Sequence, residues 1–78
     1  MKNCIERRKK ILSFLYHRRA NGSADVSGAE LQERFGPDPI TFPIEILLEL
    51  HLIERENFKI KITAQGVLAA EQAYLEAA

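Results

Sequence analysis

Seventy-eight residues, 46% hydrophobic and 28% charged, describe one ordinary globular domain, residues 1–78, with room for a single small core. This composition excludes a disordered chain, and no apolar run reaches the roughly 20 residues that span a bilayer. The net charge is zero but divided: residues 1–19 hold seven cations against Glu6 alone, and residues 20–78 hold four cations against ten acids. Internal neutralisation would account for that split. So would one basic and one acidic face, each suited to a charged partner. The basic opening MKNCIERRKKIL has no apolar stretch behind it, so no signal peptide is expected. The one cysteine, Cys4, cannot form an internal disulfide and is read as a small packed residue in a reducing, cytoplasmic setting.

Asn3 and Glu6 have the spacing of a helix N-cap and its reciprocal glutamate. Cys4, Ile5, Ile11, Leu12, Leu15 and Tyr16 then fall on one stripe, which predicts a first helix over about residues 4–19, ended by Asn21-Gly22. His17, Arg18 and Arg19 suit its C-terminus, where cations complement the helix dipole. Arg7, Arg8, Lys9 and Lys10 sit in the opening turns, where an exposed cation is unfavourable by about 0.3 kcal/mol. They are either a solvated face or a surface kept for a partner.

Ser27 and Glu30 form a capping box, with Val26 and Leu31 placed as its hydrophobic staple. A short second helix over about 28–35 follows, stopped by Gly36-Pro37, and Asp38-Pro39 continues the turn. Thr41 is placed to cap a third helix that reaches about His51, with Phe42 and Pro43 in its first turn. The run TFPIEILLELHL holds eight apolar side chains, counting Pro43, two glutamates and no lysine or arginine. At 100° per residue, Ile44, Leu47, Leu50 and His51 face one way and are expected inside. Phe42, Glu45, Glu49 and Leu52 face the other, flanked by Ile46.

Phe58, Ile60 and Ile62 alternate with Lys59, Lys61 and Thr63, the pattern of a half-buried strand with a basic outer side. Leu52 to Arg55 can pair with it across a tight turn at Glu56-Asn57. Thr63 then caps a last helix over about 64–76, anchored by Val67, Leu68, Leu75 and Tyr74. The fold class is mainly α with a small antiparallel β-hairpin.

This order resembles the winged helix-turn-helix family of DNA-binding domains. ELQERFG looks like the family's first helix of the helix-turn-helix. LLELHLIER looks like its L-x-E-L-G-L-I run, where the recognition helix ends and the wing begins. IKITAQGVLAAEQAYL looks like the L-T-x-x-G run that closes the wing and starts the C-terminal helix. The likeness covers nearly the whole chain and implies a three-helix core, a wing and a C-terminal helix. Two departures stand out. His51 occupies the family's usual glycine position, and the segment from Gly36 to Leu52 is a residue or two short and contains Pro43.

The resemblance implies a DNA-binding transcription regulator with its third helix in the major groove and the wing along the backbone. The candidate phosphate contacts are then Arg7, Arg8, Lys9 and Lys10 on the first helix, Arg34 on the second, and Lys59 and Lys61 on the wing. The third helix opposes this reading, because its outer face has two carboxylates and no side chain suited to a base edge other than a cytosine amine. Phe42, Glu45, Ile46 and Glu49 instead compose an apolar patch rimmed by acids, the surface of a protein-interaction module. Both readings stand open at this point, as does a homodimer through the alanine-rich C-terminal helix with Leu68, Tyr74 and Leu75. No enzyme is expected: His17 and His51 are the only histidines, Cys4 has no base visible in the sequence, Ser23 and Ser27 have turn and cap roles, and no phosphate loop or metal-ligand spacing occurs. No cofactor is expected.

Overall fold

The computed structural model describes the backbone of residues 2–22, 25–36 and 39–77, and the side chains of 5–22, 25–36 and 39–72. In chain order the elements are α1 (Lys2–Ala20), β1 (Val26–Ser27), α2 (Gly28–Arg34), α3 (Thr41–Glu49), β2 (Ile53–Glu56), β3 (Lys59–Ile62) and α4 (Ala64–Ala77). The architecture is mainly helical, with a small three-stranded antiparallel sheet in the order β1-β3-β2. Asn3, expected as an N-cap, lies inside α1, which begins at Lys2; the side chains of Asn3, Cys4, Ser23, Pro37, Asp38, Tyr74 and Leu75 lie outside the described ones.

The core forms where the stripes of the helices meet one face of the sheet. Ile11, Leu12 and Leu15 of α1 pack with Leu31, Ile40, Ile44, Leu47 and the inward residues Val26, Ile53, Ile60 and Ile62. Tyr16 joins this cluster part-buried, and so does Phe14. Ile5 does not: it is 50% exposed.

The Ser27 cap is present, its Oγ accepting from the Glu30 N–H at 3.0 Å. Glu30 turns its carboxylate outward to Arg18 of α1, so an inter-helix ion pair takes the side chain that a full capping box would turn back. Ser27 and Val26 also pair with Lys59 and Ile60, which adds the unforeseen strand β1 to the hairpin. Two residues are too few for an alternating pattern, and the cap signal already accounted for one of them.

The hairpin itself is shifted by one residue from expectation. β2 begins at Ile53, the turn is Asn57-Phe58, and Asn57 takes the left-handed conformation at φ 59°. Phe58 therefore leaves the strand and is 71% exposed rather than half-buried. The alternation of Lys59–Ile62 is as expected, with Ile60 and Ile62 inward.

α3 is shorter than its apolar run predicts. Ile40 is its N-cap and Thr41 its first helical residue, and no side chain caps the start. The helix ends at Glu49 in a Schellman motif: the His51 N–H donates to Leu48 O and the Leu52 N–H to Leu47 O, both at 3.0 Å. His51 occupies the left-handed position, φ 61°, that usually goes to glycine. Because the helix stops there, Leu50 and His51 are exposed, not inward as the periodicity predicts. Leu48 and Leu52 take up the packing instead, and Leu52, expected on the outer face, lies part-buried against the core.

α4 is fastened to this corner. The Thr63 hydroxyl donates to His51 O at 2.7 Å and accepts from the Gly66 N–H at 3.0 Å, while the Thr63 N–H donates to Leu52 O at 3.0 Å. Gly66 lies so close that an added Cβ would sit 2.0 Å from Leu52 O and 2.6 Å from Ile62 Cγ1.

Candidate interaction surfaces

The solvent side of α3 follows from its burial. Pro43, Ile44 and Leu47 are held in the core, which turns Phe42, Glu45 and Glu49 outward and leaves Ile46 half-buried on the flank. Phe42 is 56% exposed and Leu50 53% exposed. Two large apolar side chains thus stand in water beside two carboxylates, and α3 contains no lysine or arginine. Such an arrangement offers contact area and negative charge, and nothing on that ridge can neutralise a phosphate.

Between α2, α3 and the hairpin lies an open groove of about 600 Å³, with Ala29, Ile44, Leu48, Phe58 and Ile60 among its walls. Gln32, Thr41, Glu45, Arg55 and Asn57 supply its polar groups. Arg55 and Gln32 were not singled out from the sequence. The signal for Arg55 was available, since it shares the inward phase of Ile53 on β2 and pairs with Ile60.

Several of the seven cations proposed as phosphate contacts also make contacts within the fold. Arg7 donates from Nη1 to Pro39 O at 3.2 Å and is half-buried, as is Arg8. Lys9 and Lys10 are exposed, but successive helical residues diverge by about 100°. The Arg34 guanidinium lies 5.4 Å from the centre of the Phe14 ring, a cation–π contact. Lys61 is 3.8 Å from Glu54, its cross-strand partner, and Lys59 is paired in register with Glu56. With Asp25 alongside, the outer face of the hairpin sets three carboxylates against two ammonium groups. The hairpin face that looked basic in the sequence is therefore locally neutral to acidic, because β2 supplies the opposite charges one strand away.

The basic end of α1 is also used within the fold. Arg18 pairs with Glu30, and Arg19 donates to Ile62 O at 3.1 Å. The Tyr16 hydroxyl donates to Glu71 at 3.0 Å, and this carboxylate raises the phenol above its ordinary pKa of 10.0, first through the hydrogen bond and then through its charge.

No family model, curated protein or solved structure matches this chain. No helix is long and apolar enough to cross a membrane among the described residues. Nor do those residues contain a group of three or more His, Cys, Asp or Glu side chains placed to hold a metal ion.

Proposed function

We propose that this chain is a non-catalytic winged-helix-type domain that works by protein contact, through the outer face of α3. The element order supports the winged-helix arrangement: three helices, a hairpin and a C-terminal helix, with the L-x-E-L-x-L-I and I-T-x-x-G runs meeting at one hydrogen-bonded corner. The observation that carries the functional reading is the α3 surface itself. Exposed Phe42 shares a face with Glu45 and Glu49 on the helix that would have to enter a major groove, and exposed Leu50 follows at its C-cap. Placing those carboxylates against a polyanion is repulsive, whereas burying the apolar groups against a protein gains roughly 25 cal/mol for each Å² covered.

A photo-crosslinking residue at position 42, and another at position 10, tests this in cells producing the chain. Adducts to protein from position 42 are the expected result. Adducts to DNA from position 42, or none to any protein, would contradict it.

A second reading keeps the domain as a DNA-binding regulator docked through Arg7, Arg8, Lys9, Lys10, Arg34, Lys59 and Lys61. The cation-rich α1 and the placement of Arg55 in the groove beside α3 favour it. Its signature is a loss of duplex binding in Lys9→Glu/Lys10→Glu.

A further inference from the structure

What meets the outer face of α3 can be narrowed by charge. We infer that it is the basic N-terminal half of α1 from a second copy of this chain, an inference that rests on the protein-contact reading above. The two surfaces have matching designs and opposite signs. On α3, exposed Phe42 is followed three and seven positions later by the exposed carboxylates Glu45 and Glu49. On α1, Ile5, 50% exposed, is followed three and four positions later by half-buried Arg8 and exposed Lys9. Residues at these spacings share a helix face, so each ridge joins one apolar anchor to two like charges. The apolar anchors supply area, and the charges fix partner and orientation.

Lys9 and Lys10 follow one acid of their own helix, exposed Glu6, at three and four positions. They stand in its N-terminal half, and both are exposed, so one acid faces two ammonium groups there. Within one copy Glu45 and Glu49 face solvent, so their attraction to α1 is available to a second molecule. The C-terminal helix is the poorer occupant. Leu68 makes it apolar, at 66% exposure, but α4 contains no lysine or arginine with which to answer two carboxylates. If the pair closes with two-fold symmetry, each copy contributes its α1 ridge to one seam and its α3 ridge to the other.

Sedimentation velocity of the full chain, across a concentration series at low and high salt, tests the inference. The wild type is expected to associate at low salt and to dissociate as salt screens the seam. Lys9→Glu/Lys10→Glu and Glu45→Lys/Glu49→Lys should each weaken association about tenfold or more. Mixing the two variants in equal amounts should restore it, because the reversed charges again oppose across both seams. Recovery on mixing cannot come from unfolded protein.

A wild type that stays monomeric throughout, variants that associate like the wild type, or a mixture that stays monomeric would each overturn the inference. Failure here is separable from failure of the underlying reading. A monomer that still crosslinks to another protein from position 42 removes only the second copy, while DNA adducts from that position remove both.

Discussion

Replacing Gly66 by alanine should destabilise the domain sharply, although alanine is the better helix former. In an exposed helix interior the exchange gains about 1 kcal/mol. Here the new Cβ would stand 2.0 Å from Leu52 O, 3.0 Å from Leu52 C and 2.6 Å from Ile62 Cγ1. A side-chain rotation cannot relieve contact with a backbone carbonyl, and that carbonyl is fixed by the Thr63 N–H. The first turn of α4 must move away. The shift strains the core, at about 1–3 kcal/mol, and loosens the Thr63 cap, at about 1 kcal/mol. Set against the propensity gain, the net loss is about 2 kcal/mol, from a total of roughly 4–12 kcal/mol for a chain of this length. Thermal unfolding followed by circular dichroism should show Tm falling by roughly 8–16 °C. Gly28→Ala, where no atom lies within 4 Å of the new Cβ, is the control and should stay within about 0.5 kcal/mol of wild type. An unchanged or higher Tm for Gly66→Ala would refute the packing of α4 against the α3–β2 corner.

Other expectations follow from the same contacts. Thr63→Val removes both the donor to His51 O and the acceptor for the Gly66 N–H; urea denaturation should register a loss of about 1–2 kcal/mol. His51→Gly should raise stability by about 0.5–1 kcal/mol in the same assay, because glycine takes φ 61° without steric cost and the imidazole is exposed. In a Tyr74→Phe background, ultraviolet titration should place Tyr16 above the ordinary tyrosine value of 10.0, and Glu71→Gln should lower it. The sign for stability follows from the raised folded-state pKa: the Tyr16–Glu71 contact contributes fully below the ordinary value and is lost as pH rises through the folded one.

Much of the fold was legible because local chemistry and periodicity agreed. The α1 stripe of Ile11, Leu12 and Leu15, the Ser27 cap, the Ile60–Ile62 alternation and the Thr63 cap all lie where their spacing puts them. The misplacements occur where a turn or a neighbouring strand overrides the apolar periodicity. Leu50 continues the α3 stripe, yet the Schellman turn at His51 releases it to solvent and draws in Leu52. Phe58 fits the β3 alternation, yet the left-handed Asn57 places the turn one residue later. β1 exists only because β3 offers it an edge. For the candidate sites, a charge read along the chain says nothing of its neighbour across the sheet. Lys59 and Lys61 look basic in sequence and lie opposite Glu56 and Glu54 in space. The acidic, apolar face of α3 was readable because one short helix carries it whole.

The central claim is that the α3 surface is built for protein and not for phosphate. Fluorescence anisotropy of a labelled random-sequence duplex, titrated with the wild-type chain at low and then physiological salt, tests it most directly. The account predicts no saturable binding at physiological salt, and at low salt only a weak association that charge reversal at Glu45 and Glu49 leaves no weaker. Saturable binding that persists at physiological salt, with an affinity falling steeply as salt rises by a slope of roughly 0.9 for each phosphate contact, would contradict it.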